Sequence, residues 1–517
     1  MDKKNRLEDW IAILDFGSQY TQLIARRIRE FKIYSEIYPY YVDFSVMREN
    51  MPKGIILSGG PDSVLSKNSP MMSKDIFLLK IPILGICYGS QLIAKLMNGE
   101  IENSTKAEFG HTIVEIRKKD KLFYGLPERI STWMSHNDII VKIPEGFQLA
   151  AVSQGEKIAA IINEKQSIYG LQFHPEVTHT EKGRDILYNF VHHICKCSEK
   201  WTPGTFIEEK IQEIKQTVGD GKVIAGVSGG VDSLVAALLT HKAITNQLYC
   251  VFINTGLMRK DEVEEVKNIF KDYFDIPLHV YDHSQEFIYT LKGVTDPEKK
   301  RKIIGNLFIK IFEEKAKGIG KVTHLLQGTL YPDVIESVST KGPSAKIKSH
   351  HNVGGLPEKM DLKLLEPLKN IFKDEVRSIA QKLGIPELVT WRQPFPGPGL
   401  AIRVIGEVNF EKLQILREAD EIIREEVFRE GLNKELWQYF GILLPIKSVG
   451  VMGDSRTYDY SLVLRIVTSY DGMTADWARL PHDFLAKISN RLINQVKGIN
   501  RILYDISSKP PATIEWE

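Results

Sequence analysis

The chain has 517 residues, enough for about three domains of ordinary size. Its 68 basic and 66 acidic side chains leave a net charge of +2, so no strong field favours binding to nucleic acid or to a membrane surface. The start of the chain is charged, unlike a signal peptide, and no apolar run approaches the roughly 18 residues of a transmembrane helix. With only four cysteines, a disulfide framework is not expected, and we predict a protein of the reducing cytoplasm.

Residues 9–198 are predicted to form a first domain in which strands alternate with helices. Short apolar runs at 11–15, 54–57 and 83–86 each end near a glycine, which is typical of buried strands. Apolar residues at helical spacing follow the first and third of these runs. Strands separated by helices predict a parallel sheet with helices on its faces.

Two cysteines near the end of this domain raise the question of a metal site. Cys195 and Cys197 follow His192 and His193, which are also potential zinc ligands. The Cys-x-Cys spacing departs from that of structural zinc sites, and no second pair of ligands follows. We therefore expect a helix end that leads into a linker.

Residues 199–392 are predicted to form a second α/β domain, and residues 393–517 a smaller α+β domain. Strands are expected at 223–227, 249–253, 278–281 and 323–326, after a helix that starts at Phe206. The turn cluster at 394–399 marks the second boundary. Beyond it we predict a charged helix at 411–430, a strand at 462–467 and a final helix at 488–496.

A glycine-rich hexapeptide lies where the first strand of the second domain gives way to a helix. Adjacent glycines let the backbone approach a ligand, and the N–H groups of the helix start favour an anion. Such a turn can also exist without any ligand. The Walker pattern is absent, and the sequence of the hexapeptide resembles instead the PP-loop of ATP pyrophosphatases. The residues that we expect to bind ATP are Ser228, Gly229, Gly230, Val231, Asp232, Ser233 and Leu234.

A cysteine in the first domain has the sequence context of a catalytic nucleophile. Cys87 stands in a Gly-x-Cys-x-Gly elbow between a strand and a helix, and the helix start favours a thiolate. His174 and Glu176 are two residues apart, so an extended strand directs both side chains to one face. We predict a Cys-His-Glu triad, although a lone cysteine after an apolar strand is more often a small core residue.

An oxyanion formed at this site would need backbone N–H donors. Gly59 and Gly60 follow the second predicted strand, and Tyr88 follows the cysteine directly. We expect these three residues to supply the donors. Together with the triad they resemble a class I glutamine amidotransferase, in which hydrolysis of glutamine frees ammonia.

A glutaminase joined to an ATP pyrophosphatase resembles the glutamine-hydrolysing GMP synthetase family along nearly the whole chain. The turn cluster at 394–399 and the tail are the most specific of the matching strings, whereas the elbow by itself is not specific. The matching strings are residues 13–22, 57–61, 85–89, 172–179, 228–233, 300–305, 327–329, 331–337, 347–352, 394–399 and 509–517.

The resemblance implies that XMP, ATP, glutamine and water give GMP, AMP, diphosphate and glutamate. It also implies a homodimer formed through the third domain, and magnesium bound with ATP. Plausible magnesium ligands are Asp232, Asp333 and Glu336, any of which could instead be a solvated loop carboxylate. The contacts to XMP carried over from the family are Arg301, Gln438, Asp454, Lys509 and Glu515.

One departure from the family and two other interpretations remain open at this stage. Family members commonly have an aspartate where Asn254 stands, which could shift the affinity for ATP or magnesium. The chain could be another PP-loop ligase, such as an NAD synthetase-like protein, although that family has a glutaminase of a different type. It could also be a regulatory nucleotide-binding subunit with one degenerate site, but no triad or loop residue is missing.

Overall fold

A computed structural model describes residues 9–48, 50–320, 322–338, 362–452, 455–469 and 474–517, and within these ranges the side chains at 104–107, 335–338 and 452 lie outside the description. The chain divides after Phe206 into two compact units. The division into three domains, with boundaries after 198 and 392, stays a prediction. None of the helices in the described residues is both long and apolar enough to span a membrane.

The first unit is built on one mixed sheet of nine strands, in the order β2-β1-β3-β4-β9-β8-β7-β5-β6. The first five strands of this order are parallel, and each of the remaining four is antiparallel to its neighbour. The strands are β1 Trp10–Asp15, β2 Tyr34–Pro39, β3 Gly54–Leu57, β4 Ile83–Ile86, β5 Glu100–Ile116, β6 Arg129–Lys142, β7 Gln148–Val152, β8 Ile158–Asn163 and β9 Ile168–Leu171.

Helices cover the parallel part of this sheet, as the sequence predicts. Strands β3 and β4 are buried at every position, which explains why they are continuous apolar runs. The helices are α1 Thr21–Glu30, α2 Ser45–Arg48, α3 Tyr88–Leu96 and α4 Gly183–Tyr188, with a 3₁₀ turn at Lys74–Leu79 and a π-helical turn at Asn189–Ile194.

The cysteine pair at the end of this unit is buried, and both thiols are free. The π-helical turn ends at Ile194, directly before Cys195, so the predicted helix end is confirmed. Burial raises the pKa of Cys197 to about 12, which keeps this thiol neutral.

The second unit begins with a parallel five-stranded sheet in the order β12-β11-β10-β13-β14. The four strands predicted here are confirmed to within about one residue, and β14 was not predicted. The strands are β10 Lys222–Gly226, β11 Leu248–Asn254, β12 Leu278–Asp282, β13 Val322–Leu326 and β14 Lys363–Leu365. The helices are α5 Pro203–Val218, which crosses the division between the units, then α6 Val231–Ile244, α7 Glu262–Ile269, α8 Ser284–Thr290, α9 Pro297–Gly318, α10 Tyr331–Val338, α11 Lys373–Lys382 and α12 Glu387–Thr390.

A separate, mostly antiparallel sheet of four strands completes the second unit. A long hairpin of β15 Gln438–Met452 and β16 Ser455–Thr468 pairs with β17 Asp476–Trp477, and β18 Ile499–Tyr504 runs parallel to β16. The predicted charged helix is confirmed as α13 Phe410–Arg429. The predicted final helix is shifted, because α14 His482–Gln495 begins directly after Pro481, whose fixed φ suits a helix start.

The turn cluster at 394–399 owes its place to two buried arginines. The ring of Phe395 lies 4.3 Å from the guanidinium of Arg259 and 5.3 Å from that of Arg403. Arg403 also lies 3.8 Å from the ring of Phe440 on β15. Such cation–π contacts are worth about 0.5–2 kcal/mol each, and here they join the first sheet of the second unit to the antiparallel sheet. The predicted fold class, two successive α/β regions followed by an α+β region, is confirmed.

Candidate functional site

The cysteine elbow is a strained turn with almost no loop. Cys87 follows the last residue of β4 and precedes α3, with φ 50° and ψ −105°, a conformation that side chains rarely adopt. A Cβ on Gly85 would lie 2.6 Å from the main chain of Gly89, and a Cβ on Gly89 would lie 2.5 Å from the carbonyl oxygen of Leu57. The two glycines are therefore required by close packing, and the sulfur is held at the N-terminus of α3.

The structure brings the three predicted triad residues together. The imidazole of His174 is hydrogen-bonded through Nδ1 to Glu176 Oε1 at 2.8 Å, and the side chain of Cys87 is close enough to raise the pKa of this imidazole. His174 and Glu176 are buried, and the backbone carbonyl of Glu176 accepts a hydrogen bond from Arg27 Nε at 3.1 Å. This is the arrangement of nucleophile, base and orienting carboxylate that nucleophilic catalysis requires.

Electrostatics favours a protonated imidazole at this place. Burial by itself lowers the pKa of His174, but the charge of Glu176 and the hydrogen bonds to Cys87 and Glu176 raise that pKa well above its ordinary value. A positively charged imidazolium beside a cysteine stabilises the thiolate, which is the nucleophilic form.

The turn that was predicted to bind the oxyanion lies against the triad. A Cβ on Gly59 would lie 3.0 Å from Cε1 of His174, and one on Gly60 would lie 3.3 Å from the ring of Tyr88. Among the described residues, the N–H groups of Gly59, Gly60 and Tyr88 donate to no backbone group outside the regular elements. The geometry is compatible with an oxyanion hole, which stays a prediction.

Two further residues that contact the sulfur were not predicted to belong to the site. Cys87 Sγ lies 3.6 Å from the carbonyl oxygen of Ser135 and 3.9 Å from Nε2 of Gln172. Ser135 lies on β6, an antiparallel strand that sequence periodicity did not reveal. Gln172 was part of a matching string, but nothing in that string distinguishes a contact of the sulfur from a core residue.

A polar network on β6 continues from this contact. The carbonyl of Asp138 accepts a hydrogen bond from Gln91 Nε2 at 2.8 Å, and its carboxylate accepts one from Ser63 Oγ at 2.5 Å. Burial lowers the pKa of the adjacent His136 to about 4, so its imidazole is neutral at pH 7. These buried groups hold the strand edge that faces Cys87.

The glycine-rich loop of the second unit lies at the carboxyl end of β10 and opens onto α6. Gly229 has φ +75°, and a Cβ there would lie 2.7 Å from Val266 Cγ2. The Oγ of Ser233 donates to the carbonyl of Gly230 at 3.0 Å and lies 3.2 Å from Oγ of Ser228. Hydroxyls and the N–H groups of the helix start therefore surround one concave turn, as expected of a phosphate-binding loop.

Two cations from distant parts of the chain complete the surroundings of the loop. Lys373 Nζ donates to both carboxylate oxygens of Asp232, at 2.7 and 2.5 Å. Arg392 donates to the carbonyl of Gly229 at 3.3 Å and to Glu265 at 2.5 Å. Neither cation was predicted, because each follows the loop by more than 140 residues and has no distinctive sequence context.

The position that departs from the family pattern has a structural role in this chain. Asn254, the last residue of β11, accepts a hydrogen bond from the N–H of Gly256 at 2.9 Å. It is paired in register with Asp282 at the end of the neighbouring strand, and its side chain helps to lower the pKa of that carboxyl. The asparagine thus closes a turn at the same sheet edge as the loop.

Of the predicted contacts to XMP, two converge near the end of the chain. Arg301 Nη2 donates to the main-chain oxygen of Glu517 at 2.5 Å, and the carboxylate of Glu515 is bound by Arg403 at 2.8 and 3.1 Å. Gln438 is buried at the start of β15 and donates to the carbonyl of Pro394 at 3.2 Å. Lys509 forms an isolated β-bridge with Ala475, whereas Asp454 lies outside the described residues.

The predicted magnesium ligands do not form a metal cluster in the described residues. Asp232 is paired with Lys373, and the carboxylate of Asp333 accepts a hydrogen bond from the N–H of Leu330 at 3.0 Å, at the start of α10. The side chain of Glu336 lies outside the described part. No group of three His, Cys, Asp or Glu side chains converges elsewhere in the described residues.

Comparison with known proteins places three sequence families along the chain. Glutamine amidotransferase class-I matches residues 12–194, NAD synthase matches 204–309, and the GMP synthase C terminal domain matches 425–516. The first match contains the cysteine elbow and its triad, and the second contains the glycine-rich loop.

Relatives of known name match over nearly their full length. The chain is 55% identical to the GMP synthase (glutamine-hydrolyzing) of Brachyspira hyodysenteriae over 509 residues, which are 98% of this chain and 99% of that protein. It is 56% identical to the protein of the same name from Aquifex aeolicus over 507 residues, with the same coverage. The Clostridium tetani protein of that name is 54% identical over 99% of this chain and 100% of its own length.

The charge on Glu176 is predicted to keep His174 protonated. In Glu176→Gln the pKa of His174 should fall, because burial then acts without the opposing carboxylate. A histidine whose pKa is raised on folding stabilises the folded state fully at pH values below its unfolded pKa of about 6.5. This stabilisation is lost as the pH rises through the pKa of the folded state. The free energy of unfolding of wild type should therefore exceed that of the variant most clearly at mildly acid pH, and the difference should shrink as pH rises.

Histidine NMR titration of the full chain, with chemical unfolding at several pH values, measures both effects. Glu181→Gln is the control, since Glu181 is exposed and follows the same strand end. An unchanged pKa of His174 in Glu176→Gln would contradict the proposed electrostatic role.

Proposed function

The chain belongs to the family of glutamine-hydrolysing GMP synthases, and we propose that it converts XMP, ATP, glutamine and water to GMP, AMP, diphosphate and glutamate. This reaction belongs to the de novo synthesis of guanine nucleotides. The main support is that one chain contains both a Cys87-centred hydrolytic triad and a phosphate-binding loop, in the order found in relatives that match from end to end.

The first half of the reaction is the hydrolysis of glutamine. Cys87 attacks the side-chain amide carbon, and the N–H groups of Gly59, Gly60 and Tyr88 stabilise the oxyanion. His174, protonated beside its carboxylate partner, gives its proton to the leaving nitrogen, so ammonia departs and a thioester remains. His174 then activates water, and hydrolysis of the thioester yields glutamate and regenerates the thiol.

The second half is the activation of XMP by ATP. The loop from Ser228 to Leu234 holds the phosphates while the C2 oxygen of XMP attacks the α-phosphorus and diphosphate leaves. Ammonia then attacks C2, and AMP departs with the oxygen. Magnesium bound to ATP would neutralise charge on the departing diphosphate, with Asp232 as the carboxylate within the loop and Asp333 and Glu336 as further ligands.

The contacts to XMP are proposed at the place where the tail meets α9. Arg301 is partly exposed on α9 and offers a guanidinium that suits a phosphate. Glu515 has acceptor capacity left for ribose hydroxyls beside its pair with Arg403. Gln438, Lys509 and Asp454 complete the proposed set on the strength of the family resemblance.

A homodimer is proposed through the exposed end of the β15–β16 hairpin. Val449 pairs with Tyr458 across the hairpin, so both side chains point to one face, and Val451 lies two residues further on the same face. These side chains are 51%, 64% and 75% exposed, an apolar surface that a second copy of the chain would cover. A cytoplasmic location remains part of the proposal and is supported by four cysteines that are all free.

The alternative of an NAD synthetase-like ligase has one observation in its favour. The NAD synthase family matches residues 204–309, the region of the glycine-rich loop. That match covers only part of the second unit, whereas the GMP synthase relatives cover nearly the whole chain. We therefore attribute the match with the NAD synthase family to an ATP-binding loop that the two families share.

Removal of the nucleophile should separate the two nitrogen sources. In Cys87→Ala, GMP formation from glutamine should fall about a thousandfold or more, because no thioester can form, while formation from added ammonia should persist. Release of AMP and GMP from XMP and ATP, followed with each nitrogen source, measures this. Cys250→Ala, which also removes a buried thiol, is the control. Equal loss with both nitrogen sources would contradict the division of labour.

Removal of the loop carboxylate should abolish both activities. In Asp232→Ala, Lys373 loses its partner and the proposed magnesium ligand is absent, so GMP formation should fall at least about a hundredfold with glutamine and with ammonia. The same assay measures this, with Asp220→Ala at an exposed position as the control. Retention of ammonia-dependent activity would exclude Asp232 from ATP activation.

A charge on the hairpin face should weaken the proposed dimer. In Val451→Asp, burial of a carboxylate in an apolar contact should shift the chain from dimer to monomer, which light scattering after size exclusion measures. Leu78→Asp is a matched control, because Leu78 is 74% exposed on the first unit. A wild-type monomer, or a dimer that tolerates Val451→Asp, would overturn this surface.

A further inference from the structure

One lysine of the basic run at 299–302 differs from its neighbours. Lys299 and Lys302 are exposed, as expected of a solvated helix face, but the side chain of Lys300 is completely buried. Its ammonium donates to the carbonyls of Ala401 at 3.2 Å and Val404 at 2.8 Å, and to Oε2 of Glu517. Three acceptors satisfy the three donors of an ammonium group, so this is a fully built buried site.

The acceptor residue, Glu517, is bound at three points. Its Oε2 pairs with Lys300, and its Oε1 accepts from the N–H of Gly406 at 3.3 Å. Its main-chain oxygen accepts from Nη2 of Arg301 at 2.5 Å. Two adjacent residues of α9 thus bind a single residue of the tail: Lys300 binds the side chain of Glu517, and Arg301 binds its main chain.

The rest of the tail, residues 505–517, is attached by two more buried cations. Arg403 binds the carboxylate of Glu515 through two nitrogens. Arg465 donates to the carbonyls of Ser507 at 2.7 Å, Thr513 at 2.9 Å and Ile514 at 3.3 Å. The tail is therefore seated on its own chain by fixed hydrogen bonds, and its seating determines where Glu515 lies.

A buried ammonium is costly unless it is paired, so the contact is unlike an exposed salt bridge. Burial lowers the pKa of Lys300, and the hydrogen bond and charge of Glu517 act in the opposite direction. Loss of either partner would leave the other as a buried charge without its counter-ion. The ion pair therefore strongly favours the state in which the tail is bound to α9.

We infer that Lys300 and Glu517 are a positioning pair for the nucleotide site: they hold the tail so that Glu515 and the guanidinium of Arg301 face the bound XMP. Lys300 has no exposed surface and does not itself touch the nucleotide. The pair acts on Arg301, because the main-chain oxygen of Glu517 orients the guanidinium of Arg301. It acts on Glu515 because this residue lies only two positions before Glu517 in the tail. This inference rests on the proposed function.

A double-mutant cycle in the full chain tests the pair. Lys300→Met and Glu517→Gln should each raise KM for XMP about tenfold or more, and the double variant should be little worse than either single variant, since both remove one interaction. KM for ATP and the ammonia-dependent kcat at saturating XMP should change much less. Lys302→Met, an exposed lysine of the same run, should leave KM for XMP unchanged.

The KM measurements separate positioning from stability. A purely structural role would lower the melting temperature without changing KM for XMP, and this result in Glu517→Gln, which preserves shape, would overturn the inference even if Lys300→Met fails to fold. Additive effects of the two substitutions on KM would also overturn it. If the wild-type chain forms no AMP with XMP, the proposed function itself is wrong, so the two failures are distinguishable.

Discussion

Both reactive loops of this chain depend on one backbone constraint, the passage from a buried parallel strand directly into a helix. A strand that is covered on both faces can expose reactive groups to a ligand only where the strand ends, at the carboxyl edge of the sheet. At β4 a single residue, Cys87, makes this passage, and at β10 the loop from Val227 to Gly230 makes it. The N–H groups of the following helix then point at the same edge. The first edge holds a sulfur and the second is proposed to hold phosphates, but the physical arrangement is the same.

The parts of the fold that follow from this constraint were predictable. Buried parallel strands are continuous apolar runs, so β1, β3, β4 and the first four strands of the second sheet could be read from the sequence. Among the antiparallel strands, the apolar stretch at 462–467 was predicted and lies within β16, whereas β5, β6 and β15 were missed. Strand β6 alternates between buried and more exposed positions along most of its length, and its position depends on its pairing with β5. The contact of Ser135 with the nucleophile was missed for this reason, since it requires the position of β6.

The residues that position the predicted groups were the least predictable. A triad or a loop has local spacing that reflects its chemistry, but its supporting cations have none. Lys373 reaches Asp232 from 141 residues away, and Arg403 reaches Glu515 from 112 residues away. Lys300 lies in a run of basic residues whose pattern predicts a solvated surface, and only the three-dimensional fold distinguishes it from Lys299 and Lys302. Sequence periodicity reports which face of a helix is apolar, not which cation is paired inside.

The two halves of the chain also differ in how their charged groups are paired. In the triad, Glu176 and His174 neutralise each other within one buried site, and the pair is complete before any substrate arrives. In the nucleotide half, two cations of the described residues already have internal acceptors: Lys373 has Asp232, and Arg301 has the main chain of Glu517. Under the proposed function, binding of a nucleotide to these cations exchanges one partner for another, so only the difference between the two partners contributes to affinity. A chain with a net charge of +2 has no broad basic field to add to that difference. Under the proposed function, nucleotide specificity therefore depends on where the internal partners hold these two cations, and the seating of the tail is part of that dependence.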